Sequence, residues 1–214
     1  MGPPGSGKGT LAQLCADRLD WATLSTGALF RKHISEQTEL GKQVDFIIKS
    51  GKLVPDELVT AMVDSWLSNL KNEISSIILD GFPRTVKQVR LLKDLLSEKY
   101  PDIGLRIIRL NISDDAVIRR LSGRLLCKNK DCQMIYSTVA GSEGLAPKSD
   151  MICDKCGSPL EVRKDDQPGV IRDRLAVYHQ NDIAPVFVEA GYSIENIDAH
   201  KSLEEIFEDF ERLL

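Results

Sequence analysis

The clearest chemistry in the chain sits at residues 2–10, which read Gly-Pro-Pro-Gly-Ser-Gly-Lys-Gly-Thr. Gly2, Gly7 and Lys8 fit the opening positions of the phosphate-loop pattern G-x-x-x-x-G-K-[ST]. Glycines at 2, 5, 7 and 9 let the backbone curl so that successive N–H groups face inward on an anion. Lys8 adds a full positive charge. The apolar spacing that begins at Leu11 predicts a helix whose N-terminal dipole faces the same anion. The pattern departs at one position: where a hydroxyl would hold Mg²⁺ directly the chain has Gly9, and Thr10 follows. A Gly/Pro-rich turn that merely contains a lysine is the plain alternative, but spaced glycines, a lysine and a following helix seldom coincide.

A second group is metal-like. Cys127-x4-Cys132 and Cys153-x2-Cys156 are two close pairs, and thiolates presented from two short turns suit tetrahedral Zn²⁺. Two disulfides or four unrelated thiols are the competing readings, and a cytoplasmic setting disfavours the disulfides. With four sulfurs available no open coordination position is implied, so the metal would be structural and would supply folding energy to a segment poor in apolar residues. A nucleic-acid-binding zinc ribbon is disfavoured by the few basic residues nearby, Lys128, Lys130 and Lys155. Cys15 falls on the apolar face of the first helix and reads as a core residue.

The third group is basic. Arg31, Arg84, Arg120, Arg124, Arg163 and Arg174 fall at element ends or on helices that open toward one edge of a sheet. A transferring phosphoryl group spreads charge over three oxygens, which guanidinium forks neutralise. Asp80, at the carboxyl end of a buried strand, is placed to hold Mg²⁺ or its water, or else to cap the next turn.

These groups need a scaffold, and the pattern supplies an α/β one. Short apolar strands are predicted at Trp21–Leu24, Ile77–Leu79, Leu105–Ile112 and Ile194–Ile197. Helices are predicted at Lys42–Lys49, Pro55–Leu70 and Thr85–Lys99. Another begins at Ser113 and carries Arg119, Arg120 and Arg124. A further helix runs from Pro168 until Pro185 interrupts it, and Ser202 with Glu205 predicts a capping box for a last helix ending at Leu214. Alternation of this kind predicts an open parallel sheet with helices on both faces, and the polar, cysteine-bearing stretch from Cys127 to about Leu160 reads as an inserted subdomain.

The totals fit one domain with an insertion. A net charge of −4 argues against wholesale binding of nucleic acid or acidic membrane. No apolar run approaches the ~20 residues of a membrane helix and no secretion signal is visible, so the expected setting is the cytoplasm.

With these motifs in place the sequence resembles the adenylate kinase family, in its long-lid form with a zinc-bearing lid. The resemblance rests on GPPGSGKGT at 2–10, LSTGALFR at 24–31, SGKLVPDELV at 50–59, DGFPRT at 80–85 with Gln88, and RKDDQ at 163–167 followed by Arg172 and Arg174. It implies reversible phosphoryl transfer from MgATP to AMP by a monomer. It also implies a P-loop core at 1–117 and 164–214, an AMP-binding helical segment at about 25–54 and a lid at 118–163. By position, Gly5, Ser6, Gly7, Lys8, Gly9, Thr10, Arg120, Arg124 and Tyr136 would hold the donor. Thr26, Arg31, Lys52, Val54, Gly81, Arg84, Gln88, Arg163 and Arg174 would hold AMP. Lys8, Arg84, Arg120, Arg124, Arg163 and Arg174 would carry catalysis, and Asp165 and Asp166 would tie the lid to the core. The four cysteines would bind Zn²⁺ and Asp80 would meet Mg²⁺ through water.

Two departures stand out. The family usually has Asp where this chain has Ala28, and its phosphate loop follows a central strand of which only Met1 is present here. That strand would lie between Ile77–Asp80 and Leu105–Leu110. The expectation is therefore that those strands do not pair with each other, and that the natural protein begins upstream. The alternatives are a kinase for another nucleoside monophosphate or a catalytically weak nucleotide-binding relative. Thr85 and the long insertion favour AMP, since UMP/CMP kinases share the core but carry a short lid.

Overall fold

The computed structural model describes residues 1–49, 53–70, 74–139 and 145–214. The elements run α1 (Lys8–Leu19), β1 (Ala22–Ser25), α2 (Thr26–Ser35), α3 (Glu39–Lys49), α4 (Asp56–Ser68), β2 (Ile77–Asp80) and α5 (Val86–Lys99). They continue with β3 (Ile107–Asn111), α6 (Asp114–Ser122), β4 (Arg124–Cys127), β5 (Ile135–Ser137), β6 (Leu160–Val162), a 3₁₀ turn at Lys164–Asp166, α7 (Pro168–Gln180), α8 (Ala184–Glu189), β7 (Ile194–Asp198) and α9 (Leu203–Glu211).

Local chemistry explains most boundaries. Ser25 caps α2 by accepting from the Ala28 N–H, and Thr85 caps α5 by accepting from the Gln88 N–H. Ser202 and Glu205 form the expected capping box on α9. Two expectations need correction. Arg124 is the first residue of β4, because Gly123 ends α6. Pro185 does not interrupt a helix but sits in the first turn of α8, where its missing N–H costs nothing.

The parallel sheet exists as two halves. β1 pairs with β2, Ala22 opposite Ile77 and Ser25 opposite Asp80, while β3 pairs with β7, Ile107 opposite Ile194. Among the described residues β2 and β3 are not paired with each other, as expected. Met1 stands between them and makes one rung on β3: its nitrogen donates to the Ile108 carbonyl, and its carbonyl accepts from the Leu110 N–H at 2.9 Å.

Helices cover both faces. Leu11 and Cys15 of α1 pack with Ile206, Phe207 and Phe210 of α9 over Leu110 and Ile197. On the other side Val59, Val63 and Leu67 of α4 pack with Leu92, Leu95 and Leu96 of α5, Leu24 and Phe30. Helices α2 and α3 touch backbone to backbone, since a Cβ on Gly41 would lie 2.1 Å from the His33 carbonyl oxygen. α6 and α7 share Val117, Leu121, Ile171 and Leu175. From them rises a small antiparallel sheet in the order β5–β4–β6, whose core is Leu125, Cys127, Tyr136, Cys153 and Leu160. Among the described residues no helix is long and apolar enough to cross a membrane.

Candidate active site and metal centre

The loop before α1 has the form its glycines permit. Gly2, Gly5 and Gly7 have φ of 137°, 78° and 101°, and a Cβ on Gly5 would fall 2.8 Å from Leu121. Ser6 is fully buried. Lys8 folds back over the loop, its Nζ 2.8 Å from the Gly2 carbonyl, 2.7 Å from that of Pro3 and 3.2 Å from Ser6 Oγ. Burial lowers the Lys8 ammonium to about 8, opposed by Asp80 and assisted by Arg84, Arg174 and Arg124. Gly9 faces the strand end: a Cβ there would lie 3.3 Å from Asp80 Oδ2, and that oxygen accepts from Ser25 Oγ at 3.2 Å.

The Asp80–Thr85 turn is held by its own polar groups. Thr26 Oγ1 donates to the Gly81 carbonyl at 3.1 Å, and Arg84 Nε donates to the same oxygen at 2.7 Å. Gly81 has φ 82°, and a Cβ there would meet both Arg84 Nη2 and Thr26 Oγ1 at 2.7 Å. Gln88 is buried, its Oε1 accepting from the Arg84 N–H at 2.7 Å and its Nε2 donating to Asp56 at 2.9 Å. Thr85 Oγ1 donates to the same Asp56 oxygen. Sequence reasoning gave Asp56 no role; its signals are its place at the start of an apolar helix and within the SGKLVPDELV segment.

The arginines converge. Arg31, Arg84, Arg120, Arg124, Arg163 and Arg174 line the same cavity as Lys8 and Asp80, with a volume of about 2140 Å³ that also takes in the gap between β2 and β3. Gly5, Gly7, Gly9, Thr10, Thr26, Val54, Gly81, Gln88 and Tyr136 line it too. Lys52 lies outside the described residues. The Tyr136 hydroxyl turns away from the cavity: it accepts from the Asp154 N–H at 2.7 Å and lies 3.4 Å from Cys153 Sγ.

Two carboxylates organise three of these arginines. Arg124 forks onto Asp166 through Nε at 2.7 Å and Nη2 at 2.6 Å. Arg174 Nη1 donates to Asp166 at 3.1 Å and lies 3.2 Å from Asp165, which also accepts from Nε and Nη2 of Arg163. Desolvation alone would raise the Asp165 carboxyl, but Arg163, Arg174 and Arg124 hold it well below the usual range. Burial and mutual repulsion lower Arg31 to about 9 and Arg124 to about 10, so both stay charged at neutral pH while gaining strongly from an added anion. Arg31 Nε donates to Gln133 Oε1 at 3.1 Å, a partner that the sequence reading did not identify.

The cysteines meet at one end of the small sheet. The sulfurs of Cys127, Cys132, Cys153 and Cys156 all lie within 4.8 Å of one another, with 127–156 at 3.4 Å and 132–153 at 3.7 Å. A tetrahedron with metal–sulfur bonds of about 2.3 Å has sulfurs about 3.8 Å apart, so the four sulfurs lie close to the spacing that zinc requires. None of these cysteines is in a disulfide.

A family model described as adenylate kinase matches residues 1–190. The chain belongs to the adenylate kinase family. It is 40% identical to the adenylate kinase of Acidothermus cellulolyticus over 96% of this chain and 92% of that protein. It is 37% identical to that of Kosmotoga olearia, with 100% and 98% covered, and 40% identical to that of Treponema denticola, with 98% and 95% covered. In this adenylate kinase family member the Ala28 position carries no side-chain acceptor, and its backbone carbonyl is taken up instead by Gln133 Nε2 at 3.1 Å.

Proposed function

We propose that the chain transfers a phosphoryl group reversibly from MgATP to AMP, giving two ADP. The observation that carries this reading is that Lys8, Arg31, Arg84, Arg124, Arg163 and Arg174 lie close enough to act on one another's charge within a cavity faced by the N-terminus of α1, with Arg120 on its lining. The loop amides and Lys8, with Gly5, Ser6, Gly7, Gly9 and Thr10, cradle the donor phosphates, and Arg120 and Arg124 face the donor. Thr26, Val54, Gly81 and Gln88 shape the acceptor pocket, and Arg31 and Arg84 meet the AMP phosphate. Arg163 and Arg174 lie between the two substrates.

The attacking atom is an oxygen of an already ionised phosphate, so no general base is needed, and acceleration comes from alignment and charge neutralisation. Mg²⁺ enters with ATP and spreads the phosphate charge; Asp80 would hold it through water. Residues 1–117 and 164–214 form the core, with the AMP segment at about 25–54. Residues 118–163 form a lid that closes over the donor to exclude water. Zn²⁺ held by the four cysteines would shape that lid and take no part in the transfer. The protein works as a cytoplasmic monomer on free nucleotides, with no nucleic acid or membrane partner.

The test is an ADP-formation assay offering AMP, CMP, UMP and GMP in turn with MgATP. Turnover with AMP well above the others is expected. Preference for another monophosphate, or no product, would overturn the reading. Arg84→Ala should lose about a hundred- to a thousandfold in kcat/KM for AMP, the range for removing one donor that strengthens in the transition state. Near-normal turnover would remove Arg84 from the site.

A further inference from the structure

We infer that Gln133, carried by the cysteine-bearing turn of the small sheet, is a positioning residue that holds Arg31 in line for the acceptor phosphate. This rests on the reading that Arg31 meets AMP. The side chain bridges two parts of the acceptor helix at once. Its Oε1 accepts from Arg31 Nε at 3.1 Å, and its Nε2 donates to the Ala28 carbonyl at 3.1 Å and to the Lys130 carbonyl at 3.1 Å. With Nε held, the guanidinium's Nη edge is left for the cavity that Arg31 lines.

The geometry is built from the turn itself. Gln133 follows Cys132 directly, has φ 46°, and closes the turn by donating its N–H to the Asn129 carbonyl at 2.9 Å. A left-handed position beside a metal ligand points its side chain out of the small sheet and across to α2. Next to it Asp131 Oδ1 accepts from Lys32 Nζ at 2.7 Å, a second bond between the same two turns, though an exposed one of little strength. Ala28 offers no side-chain acceptor for anything arriving from the small sheet, and the Gln133 amide uses the backbone carbonyl there in its place. A neutral amide suits the task. It orients a guanidinium without neutralising it, so the charge stays available to phosphate.

The cysteine cluster therefore reaches the acceptor site through one residue. When the small sheet carries its turn away from α2, Arg31 loses its Nε partner, and the acceptor phosphate meets a freely rotating guanidinium.

The experiment compares Gln133→Gly, Arg31→Lys and the double variant. Glycine removes the amide and adopts the left-handed backbone without strain, so the turn keeps its shape; unchanged zinc content by mass spectrometry checks this. KM for AMP should rise about tenfold or more in Gln133→Gly, the scale of one lost hydrogen bond to a charged group, while KM for ATP stays put. In the Arg31→Lys background, which has no Nε, adding Gln133→Gly should change KM for AMP less than twofold. An unchanged KM for AMP in Gln133→Gly, alongside a raised one in Arg31→Lys, would overturn the positioning role alone. An unchanged KM in Arg31→Lys would overturn the placement of Arg31 itself. A Gln133→Gly effect equal in both backgrounds would mean that the glutamine acts without Arg31, and would also defeat the inference.

Discussion

Asp166→Asn isolates what the buried carboxylate contributes. The Asp166 side chain is fully enclosed, while those of Arg124 and Arg174 are 13% and 18% exposed. It accepts three bonds, two from Arg124 at 2.7 and 2.6 Å and one from Arg174 at 3.1 Å. The amide is nearly isosteric, so no cavity opens, but one negative charge disappears between two guanidinium groups that have nowhere to move. Removing one partner of a buried pair costs about 3–5 kcal/mol, because the remaining charges stay buried and uncompensated. Asn can still accept from Arg124 through one oxygen, which places the expected loss near the lower end, about 3 kcal/mol. For a chain of this length that is a fall in Tm of about 6–12 °C without nucleotide. Phosphate groups in the cleft would supply new negative charge to the same arginines, so saturation with a non-hydrolysable MgATP analogue and AMP should shrink the difference by at least half. Differential scanning calorimetry of both proteins, free and saturated, reads all four numbers. A loss below about 1 kcal/mol in the free protein would show that the pair is worth no more than a surface bridge. An equal loss with and without nucleotide would show that the arginines held by Asp166 never meet phosphate.

Other expectations follow from the same geometry. Lys8 is lowered to about 8 in the free protein by burial, and bound phosphate raises it, so binding takes up a proton wherever Lys8 is neutral. The Kd for ATP should therefore be flat below pH about 8 and weaken by up to about tenfold per unit above it; Lys8→Arg should abolish that slope, and a slope that persists would assign it to another group. Chelation should raise hydrogen exchange across β4–β6 before the remainder of the chain responds, and Cys132→Ser should lose the metal; native mass spectrometry that finds no zinc in the purified protein would refute both. Gly41→Ala forces a Cβ to within 2.1 Å of a backbone oxygen that no rotamer change can move, and should cost about 3 kcal/mol or more, whereas Gly104→Ala, with nothing within 4 Å, should be near neutral. Equal melting temperatures for those two variants would mean that α2 and α3 part freely.

What the sequence made legible was whatever depends on near neighbours. The phosphate loop, the capping box at Ser202 and the two close cysteine pairs are each encoded within a few residues. Arg124 was misplaced because periodicity cannot see a one-residue stop, and Gly123 ends the helix just before it. Pro185 looked like an interruption because a proline within a helix and one opening a new helix leave the same local pattern. Asp56 and Gln133 were invisible for a different reason. Asp56 acts on Thr85 and Gln88 from the preceding helix, about 30 positions away, and Gln133 reaches Ala28 across 105 positions of sequence. Neither residue belongs to a spacing that chemistry demands, so only the fold brings them to their partners.

The partners of the cavity's cations divide in a way that bears on how the site could work. Lys8, Arg31 and Arg84 rest on neutral dipoles: carbonyls of Gly2 and Pro3, the Gln133 amide oxygen, and the Gly81 carbonyl. Arg124, Arg163 and Arg174 rest on the carboxylates of Asp165 and Asp166. A phosphate arriving at the first set breaks no ion pair, although the Asp80 and Asp165 carboxylates act on these cations from nearby. The second set faces the opposite demand. Three guanidinium groups drawn together in a partly dry cleft would repel one another whenever the cleft is empty, and the two carboxylates hold them in register until phosphate arrives. A transferring phosphoryl group is then met by groups already in place, and the reorganisation that water would require at the moment of transfer is avoided. Adding a carboxylate beside Arg31 would remove this asymmetry. Gln133→Glu should therefore tighten the contact between α2 and the small sheet while weakening AMP, and a variant that binds AMP as well as the parent would show that neutral partners give the first set no advantage.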